Sequence, residues 1–248
     1  MINFSKISDK GFIGKILRRI LNIFPKPEII RIFQGPLRGK KWIVNSGVNG
    51  YWLGTYEREH QRILEKNLRE RDIFLDIGAH VGFFTILASQ LVGKSGGIFA
   101  FEPLKRNIDF LRKHIALNKC DNITVIEAAI SNSDGEALFD EDESSFMGKL
   151  SNRGTYSVKT VTIDQLVEEK VILPPSVIKI DVEGFQEKVL TGAMTTLQKY
   201  HPKIILEASY KKGDPENFYS ILTSLGYVIE PIGEKSLENA GDFFAYKK

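Results

Sequence analysis

A single cysteine, Cys120, stands in a chain of 248 residues. An internal disulfide is therefore excluded, and a reducing compartment, the cytoplasm, is the default expectation. Only four histidines accompany it, and no Cys/His cluster of zinc-binding spacing occurs. No apolar run approaches the ~18 residues of a membrane-spanning helix. Charge of one sign is not in excess: 34 Lys+Arg against 31 Asp+Glu leave a formal net charge of +3, too small to require a nucleic-acid partner. Residues 1–24 carry charges inside their apolar stretch and lack a small-residue cleavage site, so they are not read as a signal peptide. What is present is an ordinary composition, 42% hydrophobic and 26% charged, enough for one large α/β domain with additions.

The stretch that organises the chain is Asp72 to Pro103, DIFLDIGAHVGFFTILASQLVGKSGGIFAFEP. Ile73-Phe74-Leu75 reads as a buried strand. It runs into Asp76-Ile77-Gly78-Ala79-His80-Val81-Gly82, and apolar residues at helical spacing (Val81, Phe84, Leu87, Ala88, Leu91) begin at once. Glycines at a strand-to-helix switch let a ligand approach the backbone, and the helix start offers N–H donors. A second strand, Ile98 to Phe101, delivers Glu102 and Pro103. An acid at the end of the second strand of a βαβ unit is placed to accept hydrogen bonds from a ribose diol.

Two details choose among nucleoside cofactors. The dinucleotide fingerprint Gly-x-Gly-x-x-Gly is missing, since only Gly78 and Gly82 stand in the turn. Asp76 places an anion where a diphosphate would be repelled, whereas a cationic cofactor would gain from it. S-adenosylmethionine carries a ribose, an adenine, an ammonium and a sulfonium, and no phosphate. A nicotinamide-dependent oxidoreductase is the weaker alternative.

DIGAHVGFFT, AFEP followed by Asn107, IKIDVEG and IILE together resemble the FkbM-type S-adenosylmethionine-dependent methyltransferases, over roughly residues 50–208. His80 stands where many members of that family carry Asn. The resemblance implies a Rossmann-like class I methyltransferase fold: an α/β protein with a mostly parallel seven-stranded sheet, helices on both faces and an antiparallel last strand. It also implies O-methylation of a sugar, glycan or secondary metabolite bearing a free hydroxyl. The cofactor contacts expected are Tyr56, Glu57, Asp76, Gly78, Ala79, His80, Val81, Gly82, Glu102, Pro103, Asn107, Ala128, Ala129 and Asp181. A methyltransferase fold kept only as a non-catalytic S-adenosylmethionine-binding module is the alternative from outside enzymology.

Residues 1–56 read as an N-terminal extension and 57–248 as the catalytic domain, with a flap insertion at about 135–160. In the extension, residues 10–24 form a basic amphipathic helix ended by Pro25 and Pro27. Its apolar face suits lid packing or a homodimer contact, and its basic face suits a peripheral contact with an anionic membrane surface. Ile29 to Phe33 and Lys41 to Val44 read as a hairpin, and Glu57 to Leu68 as a helix. Further on, Leu104 to Ile115 is a helix, Ile123 to Ala128 a strand, and Glu136 to Phe139 pairs with Val158 to Val161. The acids Asp140 to Glu143 between that pair read as a solvated loop or as a substrate-selective flap. Val177 to Ile180 is a strand leaving through Asp181-Val182-Glu183-Gly184, followed by one helix carrying Phe185, Val189, Leu190, Ala193 and Leu197. Lys203 to Leu206 ends in Glu207, and Tyr227 to Glu230 with Asp242 to Lys247 form the final strand pair.

Asp76, Glu102, Asp181, Glu183 and Glu207 thus all fall near predicted strand ends, on the sheet edge where open α/β folds bind ligands. Asp181 is the residue expected nearest the reacting hydroxyl, with Glu183 orienting it or sharing the base role. His80 is the competing base, having the more suitable unperturbed pKa. Asp181 as a helix cap and His80 as a plain helix-start residue are the structural alternatives. No metal site is assigned. The Asp/Asn-Pro-Pro-aromatic block of base methylases is replaced by Asp181-Val182-Glu183-Gly184, which argues against nucleic-acid methylation.

Overall fold

The strand expected at Ile73 to Leu75 is the middle of the molecule. In this computed structural model, which describes residues 28–141, 148–150, 156–182, 184–208 and 217–248, the strands in chain order are β1 (Ile29–Arg31), β2 (Lys41–Ile43), β3 (Ile73–Ile77), β4 (Gly97–Phe101), β5 (Ile123–Ile126), β6 (Ala129–Ile130), β7 (Gly135–Glu141), β8 (Gly148–Leu150), β9 (Tyr156–Val161), β10 (Val177–Ile180), β11 (Lys203–Glu207), β12 (Val228–Pro231) and β13 (Asp242–Tyr246). The helices are α1 (Asn49–Leu53), α2 (Arg58–Asn67), α3 (Phe83–Val92), α4 (Lys105–Asn118), α5 (Ile163–Glu168), α6 (Gln186–Thr191), α7 (Met194–Tyr200) and α8 (Phe218–Ser224). The amphipathic helix expected at 10–24, the acids Asp142 and Glu143 and the residue Glu183 lie outside the described residues.

Seven strands form one sheet in the order β12-β13-β11-β10-β3-β4-β5. Strands β11, β10, β3, β4 and β5 are parallel, and β13 runs antiparallel to both its neighbours. Strand β10 is buried along its whole length, as parallel strands covered on both faces must be. Alternation along β3 sends Phe74 into the core beneath α3 and Leu75 into the core on the opposite face, where Val189 and Leu222 pack. The chain runs outward from β3 through β4 to β5, then returns to place β10 on the other side of β3. The strand order therefore reverses between β3 and β10, and such a switch point opens a crevice at the carboxyl ends.

Two additions flank this sheet. Strands β1 and β2 pair antiparallel as a hairpin, and Trp42 from β2 stacks on His114 of α4 with ring centroids 3.7 Å apart. Trp42, Tyr51 and Trp52 share a continuous core with Phe83 and Leu64. Strands β6, β9, β7 and β8 form a second small sheet in that order, so the pairing expected for the flap region is present between β7 and β9. No helix among the described residues is long and apolar enough to cross a membrane.

One expectation fails. The single helix over 185–197 is two, α6 and α7, broken at Gly192. A side chain at Gly192 would place a Cβ 2.0 Å from the Ser131 carbonyl oxygen, so this backbone is pressed against the β6 end. The Gly192 carbonyl accepts from Asp164 N at 3.0 Å. The Asp164 carboxylate in turn accepts from Thr195 N and Thr196 N at 2.9 and 2.7 Å, which satisfies donors at the start of α7. Asp164 therefore caps the neighbouring helix and not merely its own first turn.

Candidate active site

At the switch point lies a cavity of about 420 Å³, within the ~300–1,000 Å³ usual for small-molecule sites. Its walls come from the Gly47–Glu57 segment, the β3–α3 turn, the β4 exit, the β5–β6 link and the β10 exit. Of the residues expected to contact a cofactor, Tyr56, Glu57, Asp76, Gly78, Ala79, His80, Glu102, Pro103, Asn107, Ala128, Ala129 and Asp181 all line it. Val81 and Gly82 do not. Val81 is fully buried in the core beneath α3. Gly82 starts α3 with φ +93°, and a Cβ there would meet Leu111 Cδ1 at 2.4 Å.

Besides lining the cavity, the glycine turn serves the packing of the chain. Gly78 has φ +78°, and a Cβ on it would lie 1.9 Å from the Asp181 carbonyl oxygen. It is glycine so that β3 and β10 can leave the sheet side by side, chain against chain. Four N–H groups of the turn are likewise committed within the protein: Gly78 N and Ala79 N both donate to Phe101 O at 3.0 Å, and Gly82 N donates to Ala79 O at 2.9 Å. His80 N donates to Glu102 Oε2 at 2.8 Å. A dinucleotide site would aim such donors at a pyrophosphate. His80 itself adopts φ +51°, a left-handed conformation in which Asn, Asp and His are enriched among non-glycine residues.

Glu102 sits where a ribose-binding acid is expected and also holds the cavity wall together. Its Oε1 accepts from Leu104 N at 3.0 Å and from Asn107 Nδ2 at 3.3 Å, which ties the start of α4 to the turn. Burial pushes the Glu102 carboxyl up to about 7 against the pull of these hydrogen bonds.

The floor is a charge cluster with one member that sequence reasoning passed over. Lys179 lies opposite Asp76 in the β10–β3 register, is only 4% exposed, and donates from Nζ to Asp181 Oδ2 at 2.9 Å. Burial is the largest single influence on it and works against the ammonium. The combined fields of Asp181, Asp76 and Glu57 outweigh burial and hold Lys179 above the usual lysine range. Burial likewise works against the Asp181 carboxylate, but the Lys179 ammonium outweighs it and keeps Asp181 below the ordinary range. Asp76 is 1% exposed. Burial raises its carboxyl, with Lys179 and Thr85 opposing. Its Oδ2 accepts from Thr85 Oγ1 at 2.5 Å, while Oδ1 has no hydrogen-bond partner among the described residues. Glu207 lies at the solvent-exposed mouth of the cavity. Partial burial, the charge of Asp181 and a hydrogen bond to it push the Glu207 carboxyl up to about 8.

The signal for Lys179 was a lysine inside the apolar run Val177 to Ile180, two residues before Asp181. Alternation in a two-sided buried strand gives such a residue no solvent face. Tyr51, Phe83 and Phe84 were also passed over as site residues. Tyr51 and Phe83 have centroids 5.4 Å apart, Tyr51 and Tyr56 4.5 Å, and Phe83 and Phe84 5.5 Å, so the wall facing the acids is aromatic. Among the described residues no group of three or more His, Cys, Asp or Glu gathers in a way that could hold a metal ion.

The sequence matches the Methyltransferase FkbM domain over residues 76–229. It is 27% identical over 169 residues to the hexuronic acid methyltransferase AglP of Haloferax volcanii, which covers 67% of this chain and 68% of that protein. Among solved structures it is similar to the methyltransferase FkbM of Methylobacillus flagellatus KT, with a TM-score of 0.52 at 15% identity, covering 82% of this chain. The chain spans 56% of the length of that solved protein, and the likeness concerns the fold.

Proposed function

Because the chain belongs to the FkbM family of S-adenosylmethionine-dependent methyltransferases, the family domain matching residues 76–229, we propose that the cavity at the switch point binds S-adenosylmethionine and serves O-methylation of a sugar or glycan hydroxyl. The observation that carries this reading is the turn in which Gly78, Ala79, His80 and Gly82 spend their N–H donors internally while carboxyl groups line the cavity. That arrangement disfavours a pyrophosphate and suits a cofactor with two positive centres and no phosphate. Glu102 would accept from the ribose diol. The buried Asp76 Oδ1 would accept from the ammonium, and the backbone of Ala128 to Ile130 would meet the adenine edge. A sugar acceptor is supported by the named substrate of the Haloferax volcanii relative.

When bound, S-adenosylmethionine supplies an electrophilic methyl group on sulfur. The chain's task is to hold an acceptor oxygen in line with it, and such positioning supplies on the order of 7–11 kcal/mol. Asp181, fixed by Lys179 at 2.9 Å, suits that positioning role. Its proton affinity is lowered by the ammonium, so it accepts a hydrogen bond from the acceptor hydroxyl more readily than it takes the proton away.

Methyl-labelled S-adenosylmethionine, incubated with uronic-acid and neutral oligosaccharides, tests the reading. Transfer of label to at least one of them is the expected result. Asp181→Asn should lower that turnover roughly 10²-fold by misplacing the acceptor, with cofactor binding retained. Turnover equal to wild type in the variant contradicts the assigned role of Asp181.

A further inference from the structure

Residues 1–48 hold ten of the 34 Lys and Arg but only two of the 31 Asp and Glu. The rest of the chain is therefore net acidic, and positive charge is gathered at one end of the sequence. The described part of that end is the β1–β2 hairpin and its exit. Alternation along β1 and just past it packs Ile30 and Ile32 into the core and leaves Ile29, Arg31 and Phe33 exposed. Lys41 stands opposite Arg31 in the hairpin register and is exposed too. Arg38 and Lys40 flank Gly39 in the turn between the strands. Arg31 donates from Nη1 to Gly39 O at 2.8 Å, and none of these four cations forms an ion pair among the described residues. Glu28 is the one acid in residues 28–48. Apolar groups accompany the cations: Phe33 is 60%, Val48 56% and Ile29 44% exposed, three of the seven large apolar side chains left exposed among the described residues.

We propose that the outer face and turn of the β1–β2 hairpin dock on an anionic lipid bilayer, with Phe33 and Ile29 entering the headgroup boundary and Arg31, Arg38, Lys40 and Lys41 meeting lipid phosphates. A water–lipid boundary is the surface that takes both kinds of side chain, since apolar groups enter the acyl edge while cations stay at the headgroups. Charge complementarity selects this occupant. Residues 1–27, which lead directly into the hairpin, carry six Lys or Arg against one Asp. Packed over the hairpin, they would set like charge against like charge, whereas both suit the same anionic surface. A nucleic acid would satisfy the cations but offers no apolar layer to Ile29 and Val48.

The face also adjoins the cavity. Val48 lines it as well as being exposed, so it stands at the mouth. It opens α1, whose Trp52 carbonyl accepts from Phe33 N at 3.0 Å. One short helix thus joins the docking face to the cavity mouth, and a docked molecule carries that mouth close to the headgroups.

Flotation of the full chain with vesicles tests the proposal, and it needs neither cofactor nor acceptor, so its outcome is separate from that of the methyl-transfer reading. Wild type is expected to float with phosphatidylcholine vesicles containing about 30% phosphatidylglycerol and not with phosphatidylcholine alone. Salt at about 1 M, where the Debye length is ~3 Å, should release most of it. Lys40→Gln with Lys41→Gln should weaken partition roughly 25-fold, at ~5-fold per cation, and Phe33→Ser roughly 10-fold, both with wild-type melting temperatures. Lys94→Gln with Lys199→Gln, two exposed cations outside the hairpin, should float like wild type. Wild type that floats with neither vesicle, or hairpin variants that lose no more than this control, overturns the proposal. A Phe33→Ser variant that melts lower yet floats like wild type also overturns it, because the chain itself would then cover Phe33. Binding to a DNA duplex without flotation would overturn it in favour of a nucleic-acid face.

Discussion

Gly78→Ala is expected to lower the melting temperature by roughly 4–20 °C. The left-handed φ of +78° costs an L-residue ~1–2 kcal/mol. The added methyl would meet the Asp181 carbonyl oxygen at 1.9 Å, and relieving such overpacking costs a further ~1–3 kcal/mol. For a domain of this size each kcal/mol moves the midpoint by ~2–4 °C. The obstructing atom is backbone, held by the Asp181 N to Ile77 O bond of 3.0 Å, so the clash is relieved only by moving the β10 exit. Gly82→Ala provides the comparison. Its clash is with Leu111 Cδ1, the end of a flexible side chain, and its loss should be smaller. Circular dichroism melts of both variants check the order. Equal melting points for Gly78→Ala and wild type contradict the role given to this glycine.

Lys179→Met is expected to cost about 3–5 kcal/mol near neutral pH, the usual consequence of removing one member of a buried ion pair. The buried Asp76 and the partly buried Asp181 would be left without their countercharge. The sign of the pH dependence follows from the shifts. In the wild type, Asp181 is held below its unfolded value, so its contribution to stability is present above about pH 4 and is lost as pH falls through the depressed folded value. In the variant, burial raises both carboxyls. The folded state then keeps protons that the unfolded state has released, and stability falls as pH rises above about 4. The difference from wild type should therefore be larger at about pH 8 than at about pH 5. Urea denaturation at the two values measures it. A deficit that does not change with pH contradicts the pairing.

Both residues show which parts of the site could be read before the fold was known. The β3–turn–α3 unit, Glu102 at the β4 exit and Asp181 at the β10 exit were legible because each sits at a switch from one periodicity to another. The mostly parallel seven-stranded sheet and its antiparallel last strand followed from the family resemblance, whereas the strand order β12-β13-β11-β10-β3-β4-β5 came only with the fold and was not read from the sequence. The partner of Gly78 was not legible. A glycine with positive φ reads the same whether ligand or backbone fills the space beside it, and only the adjacency of β3 and β10 shows that it is the Asp181 carbonyl. Lys179 was passed over for a related reason. Within Val177 to Ile180 a lysine breaks an apolar run, but its meaning depends on the register that sets it opposite Asp76. The break between α6 and α7 was hidden too, because the apolar spacing from Val189 to Leu197 continues through it. What ends the helix is contact of Gly192 with the β6 end, which lies about sixty residues away in sequence.

The acid-lined cavity also accounts for how one fold can hold positive charge without a metal-binding cluster among the described residues. Glu102, Asp76, Asp181, Glu57 and Glu207 converge on it, and the Lys179 ammonium offsets part of their charge from beneath. A cofactor bearing a sulfonium and an ammonium would find carboxyl groups able to ionise beside it on one side and the aromatic rings of Tyr51, Tyr56 and Phe83 on the other. Cations are favoured over aromatic faces as well.

Calorimetric titration of the protein with S-adenosylmethionine and S-adenosylhomocysteine, beside NADH and a Glu102→Gln variant, tests the central claim most directly. The account predicts saturable binding of both adenosyl compounds, no binding of NADH, and affinity weakened roughly 10- to 150-fold in the variant, as expected for loss of a hydrogen bond to a charged group worth ~1.5–3 kcal/mol. Binding of NADH in place of the adenosyl compounds, or equal affinity in wild type and Glu102→Gln, would contradict it.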